Sequence, residues 1–156
     1  MALIAIPAIA KKAKCDTPAS GEIIVGAACT SEYVPLLKGK KVALLSNHTG
    51  MVGDKHVLDI MLEKGVDVTT IFSPEHGFRG NADAGEHVKS SVDEKTGIPI
   101  ASLYDGNSKK PAKKVMDGFD VLVVDIQDVG LRFYTYYVTM INLMNAAIEY
   151  DKEVVV

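Results

Sequence analysis

The chain has no Trp, only two Cys and only two Arg among its 17 cationic side chains. Cys15 and Cys29 form no Cys-x-x-Cys pair and neither stands beside a His, which speaks against a thiolate metal centre. A local disulfide between them remains open for an exported protein, and two free thiols for a retained one. Cationic residues are scattered as Lys pairs such as Lys40-Lys41 and Lys113-Lys114, without interleaved aromatics, and the net charge is −3. That gives nucleic acid no basic surface to bind. Long apolar runs are missing as well. The longest, at the N-terminus from Met1 to Ala10, is far too short to span a bilayer. It ends in Ala8-Ile9-Ala10, an A-x-A pattern, and reads as the remnant of a signal peptide. That places the protein outside the cytoplasm, and residues 1–30 outside the folded domain.

What is present suits one domain over residues 31–156. The chain of 156 residues is 47% hydrophobic and 24% charged, ordinary values for a globular core. Lys41 to Ser46 (KVALLS) is short and continuously apolar, as a buried parallel strand should be. Ser31 caps a preceding short helix that Gly39 ends, and Ile23 to Val25 reads as a short edge strand. Asp54 is expected to cap a helix with Val57, Leu58, Met61 and Leu62 inward and Gly65 at its end. Val66 to Phe72 is the next strand, completing a strand–helix–strand unit with a right-handed crossover. Further strands are expected at Ile100 to Tyr104, at Asp120 to Ile126 and at Val154 to Val156, the last cut short where the chain stops. Helices are expected over Lys110 to Asp117 and over Tyr134 to Tyr150, the latter with Val138, Ile141, Met144 or Asn145, and Ile148 on one face. The fold class is therefore α/β, a mostly parallel sheet flanked by helices. Two strand orders, 3-2-1-4-5 and 2-1-3-4-5, both keep the first strand central.

In such a sheet the segments after each strand gather at one edge. Here they are Asn47 to Gly50, Ser73-Pro74-Glu75-His76-Gly77-Phe78-Arg79-Gly80, and Asp125 to Arg132. Both arginines, Arg79 and Arg132, lie in them and offer forks for a carboxylate or phosphate, or else pair with a nearby Asp. Several carboxylates in one cleft suit acid–base chemistry, and Glu75 near Phe72 or Phe78 is the candidate for a protonated donor; its plainer role is to cap a turn. Phe133, Tyr134, Tyr136 and Tyr137 either floor a sugar site or pack in the core. A metal site from His48, His76, Asp125 and Asp128 lacks any His-x-His or His-x-x-x-His spacing, and no cofactor motif is present. The Asn47-His48-Thr49 sequon abuts a buried strand and is discounted.

The blocks LLKGKKVALLSNHTG, IFSPEHGFRGNADAGE, SSVDEKTGIPIASLY and DVLVVDIQDVGLRFYTY, in this order, resemble the NamZ family of YbbC-like exo-β-N-acetylmuramidases. The resemblance implies a bacterial glycoside hydrolase releasing N-acetylmuramic acid from the non-reducing end of peptidoglycan fragments, with no cofactor. It implies a Rossmann-like N-terminal domain here, with a second α/β domain of the family absent. It puts Glu75 in the catalytic acid/base position, with Asp125 and Asp128 beside it. His76, Arg79, Gln127, Arg132, Tyr134 and Asn47 then line the substrate cleft. An arginine facing the lactyl carboxylate of muramic acid is an inference from charge. A metal-dependent hydrolase and a non-catalytic sugar-binding module stand as the alternatives.

Overall fold

The computed structural model describes residues 23–79, 90–103 and 110–156. The apolar N-terminal run, Cys15, Gly80 and Tyr104 lie outside them. Strand β1 (Lys41–Ser46) holds the centre, and Val42 to Leu45 are all fully buried. Side chains alternate across a strand. Val42 and Leu44 accordingly join a cluster with Leu37 of helix α1 (Thr30–Leu37) and with Val57, Leu58 and Met61. Ala43 and Leu45 join the opposite cluster with Met116, Phe119, Leu143, Ala146 and Ala147. Burial on both faces makes this a three-layer sandwich, and explains why β1 reads as an unbroken apolar run. Each fully buried Leu contributes roughly 1.5–3 kcal/mol.

After β1 the chain makes a small antiparallel hairpin, β2 (Met51–Val52) and β3 (Lys55–His56), then helix α2 (Val57–Glu63). Strand β4 (Asp67–Ser73) follows, then the short β5 (Ser91–Val92) and β6 (Pro99–Ser102). Helix α3 (Lys113–Met116), strand β7 (Val121–Asp125), helix α4 (Tyr136–Glu149) and strand β8 (Glu153–Val155) complete it. The sheet order is β5-β6-β4-β1-β7-β8, all parallel except β5. Counting the parallel strands along the chain, this is 3-2-1-4-5, the Rossmann-like arrangement. The order reverses between β1 and β7, which opens the crevice at their C-terminal ends.

Five local expectations need correction. Residues 23–25 form no strand; a 3-10 turn at Gly26–Ala28 follows them. The N-cap of α1 is Cys29, not Ser31, and Pro35 sits inside that helix. Asp54 lies in the hairpin turn, where Gly53 at φ 57° takes the left-handed conformation, and His56 caps α2 instead. Helix α3 is shorter than Lys110 to Asp117. Helix α4 buries Tyr136, Leu143, Ala146 and Ala147, while Ile141 and Ile148 face solvent. Its apolar residues run nearly all the way round, so periodicity does not single out one face, and the small Ala pair allows the closest approach to the sheet.

Candidate active site

One polar row closes the C-terminal edge of the sheet. Ser102 pairs with Ser73, and Ser46 with Asp125. The pairing of Leu45 with Phe72 sets Ser46 level with Ser73. Two residues earlier on each strand stand Leu44, Ile71, Ile100 and Val123, all in the α1/α2 cluster. By alternation the Ser–Ser–Ser–Asp row lies on that same face. Here the core gives way to hydroxyls and one carboxyl. Among the described residues, three buried side-chain atoms have no hydrogen-bond partner: Asn47 Nδ2, Ser73 Oγ and Asp125 Oδ2. Natural proteins leave few such groups without a protein, water or ligand partner. Burial pushes the Asp125 carboxyl above its ordinary value, against a weaker opposing pull from His56. Gly50 is required beside it, because a Cβ there would meet Ser46 Oγ, stand 2.9 Å from Asp125 Oδ2 and 3.3 Å from a Val57 methyl.

The loop after β1 is held from inside. Asn47 is fully buried, and its Oδ1 accepts from the Thr49 amide at 3.2 Å and hydroxyl at 2.7 Å, an Asx turn. Its carbonyl receives the His56 Nε2 at 2.7 Å. His56 Nδ1 accepts from the Leu58 amide at 3.1 Å, so the neutral ring carries its proton on Nε2. That ring packs edge-on against Phe78 at 4.9 Å between centroids. Burial pushes the His56 pKa down and the Arg79 charge adds to this, while the Asn47 carbonyl, Asp59 and Asp125 oppose it. No motif marks His56 in the sequence, because both of its polar partners are backbone groups.

The loop after β4 carries Glu75. His76 at φ 69° and Gly77 at φ 76° turn the chain sharply, and the Gly77 amide bonds back to the Pro74 carbonyl at 3.1 Å. A non-Gly residue in the left-handed region costs of order 1 kcal/mol or more and points to function. Glu75 is half-buried, and its Oε2 accepts from the Thr135 hydroxyl at 2.8 Å. Its carbonyl accepts from the Tyr136 hydroxyl at 3.4 Å. That hydroxyl is raised in pKa chiefly by burial, with Tyr134 and Glu75 adding to the rise. The nearby Asn47 side chain opposes it, although its Nδ2 stops short of a full hydrogen bond. Tyr134 meets Tyr136 edge-on at 4.7 Å. Asn47, Glu75, Tyr134 and Tyr136 therefore form one cluster at the crevice.

Arg79 and Asp128 make bonds within the chain, while His76, Gln127 and Arg132 lie toward the surface. Arg79 lies over the Phe78 ring and grips Asp93 with two bonds of 3.0 Å, Nε to Oδ1 and Nη2 to Oδ2. Asp93 is 3% exposed and also accepts from the Thr96 hydroxyl at 2.7 Å. Burial alone would raise the Asp93 carboxyl, but the hydrogen bonds from Arg79 and Thr96 hold it below its ordinary value. Asp128 accepts from the Gly130 amide at 2.8 Å and the Tyr137 amide at 3.1 Å, so it caps the first turn of α4 from a distance. Gln127 and Arg132 are exposed, and His76 is half-exposed. Phe72 packs on Phe119 within the opposite cluster rather than beside Glu75. Of the four clustered aromatics, Tyr136 is core at 2% exposure while Phe133 stands 81% exposed. Among the described residues no three His, Cys, Asp or Glu side chains come together as a metal would need.

Comparison with known proteins agrees with this frame. The family model described as exo-β-N-acetylmuramidase NamZ, N-terminal, matches residues 42–156. The chain is 48% identical over 120 residues to the peptidoglycan β-N-acetylmuramidase NamZ of Bacillus subtilis (strain 168), an alignment covering 76% of this chain. It spans only 29% of that relative's length. Two DUF1343 family crystal structures from Bacteroides fragilis NCTC 9343 match the fold. One has a TM-score of 0.73 and 54% identity, covering 85% of this chain and 33% of its own. The other has a TM-score of 0.71 and 37% identity, covering 81% and 32%.

Proposed function

The chain belongs to the NamZ N-terminal family, and from that membership we propose that it is the acid-bearing part of a glycoside hydrolase acting on muramic-acid-terminated peptidoglycan fragments, with Glu75 as general acid/base. One observation carries the reading. Glu75 stands half-buried at the crevice where the strand order reverses, with one carboxylate oxygen taken by the Thr135 hydroxyl. A glycosidic oxygen leaves poorly unless protonated as its bond breaks, and a positioned carboxylic acid supplies that proton. Asp125 lies across the crevice in an environment that favours its neutral form. Its buried Oδ2 offers a polar group to sugar oxygens. Asn47 Nδ2 and Ser73 Oγ add two further uncommitted polar groups at the same edge. Tyr134 offers a ring edge beside them, and His76, Gln127 and Arg132 reach the rim from both loops.

The test is hydrolysis of a chromogenic N-acetylmuramide by the full protein beside its Glu75→Gln variant. General acid catalysis is worth roughly 10²–10⁴-fold, and a loss of that order is expected. Equal turnover by both proteins would remove Glu75 from the reaction.

We also place the protein outside the cytoplasm. Cys29 is disulfide-bonded, a state that persists in oxidising compartments, and an apolar A-x-A segment stands at the N-terminus. Recovery of the natural protein in the cytosolic fraction alone would refute this.

A further inference from the structure

We propose that Thr135 is the positioning residue for Glu75, and that Asp128 has taken over the capping duty which Thr135 would otherwise perform. This rests on Glu75 being the acid/base. Thr135 occupies the N-cap position of α4, where a Thr hydroxyl ordinarily accepts a bond from its own helix. Here it makes no such bond, and its backbone is at φ −104°, ψ −6° rather than extended. Its hydroxyl points outward and donates to Glu75 Oε2 at 2.8 Å. The helix is nevertheless capped, because Asp128 Oδ2 accepts from the Tyr137 amide at 3.1 Å. Two residues share a task that one usually fills, and the freed hydroxyl goes to the acid.

The neighbouring residue completes the hold. Tyr136, the first residue of α4, donates to the Glu75 carbonyl, so the start of one helix grips both the backbone and the side chain of the acid. The sharp turn at His76 and Gly77 fixes the loop from the other side. The Thr135 bond to Oε2 restricts rotation of the Glu75 carboxyl. Orientation of this kind acts on the chemical step more than on substrate affinity.

The experiment compares the full chain with Thr135→Val, Thr135→Ser and Glu75→Gln. The Glu75 side-chain carboxyl ¹³C resonance, assigned by its loss in Glu75→Gln, reads the contact without reference to turnover. It is expected to move in Thr135→Val and to return in Thr135→Ser. Turnover of a chromogenic N-acetylmuramide is expected to fall roughly 10- to 100-fold in kcat for Thr135→Val, the range of one hydrogen bond to a charged group, with KM little changed. Thr135→Ser is expected to recover most of it. Melting temperatures should stay close together, since Asp128 keeps the helix capped. An unmoved resonance in Thr135→Val overturns the inference. So does unchanged kcat in that variant while Glu75→Gln is inactive. If Glu75→Gln turns over like the parent, the functional reading falls first, and the resonance alone then decides the contact.

Discussion

Arg79 offers the sharpest separation between a scaffold residue and a substrate-binding one. Its side chain is 33% exposed, whereas the Asp93 it grips is 3% exposed. Replacing Arg79 with Met keeps much of the packing over Phe78 but removes both 3.0 Å bonds to a carboxylate shielded from water. Asp93 would keep the Thr96 hydroxyl, though not a countercharge. Breaking a buried pair typically costs 3–5 kcal/mol, and the partial exposure of Arg79 sets the expected loss at the low end, about 3 kcal/mol. With a urea slope of about 1.5 kcal/mol/M, the unfolding midpoint at pH 7 should drop by about 2 M. Arg79→Lys keeps charge but loses the fork, and should fall between the two. Acid gives an internal check. The Asp93 pKa is lowered in the folded state, so its stabilisation is complete above the unfolded value of about 3.9 and is lost as pH falls through the folded value. The gap between parent and Arg79→Met should therefore narrow below about pH 4. A midpoint shift below about 0.3 M at pH 7 would refute the scaffold role and return Arg79 to the substrate cleft.

Two further outcomes follow from the same physics. Gly50→Ala forces a methyl against Ser46 and Asp125 and should cost about 1–3 kcal/mol of stability, with activity falling further than folding does; an unchanged melting curve would show the contact to be soft. His56 is held neutral with a lowered pKa, so the unfolded chain takes up its proton first and stability should decline as pH falls below about 6.5, by up to about 1.4 kcal/mol per pH unit. His56→Asn should flatten that decline, and parallel pH curves for the two proteins would count against it.

Much of the fold was legible because its evidence is local. Val42 to Leu45, Ile71 to Phe72 and Val121 to Val124 are buried strand segments, and each reads as an apolar run bounded by turn residues. The gathering of Asn47, Glu75 and Asp125 at one edge follows from parallel strands alone. Strand order was not legible, since it depends on which distant strand docks beside β1. The buried face of α4 was misjudged because its apolar residues leave no clear polar side, and the selection falls to Ala146 and Ala147 against the sheet. The roles of His56 and Thr135, and the bond from Tyr136 to Glu75, leave no sequence signal for a different reason. They act through backbone groups or through a partner sixty positions away, and neither leaves a pattern within a short window.

That separation in the chain has a consequence for assembly. Glu75 emerges with the first strand–helix–strand unit, while its clamp arrives only with α4. Pairing between β1 and β4 closes a shorter loop than pairing between β1 and β7, and shorter loops close at lower entropic cost. A half-assembled molecule would thus carry Glu75 without its bond to Thr135, which forms only once α4 has packed against the sheet.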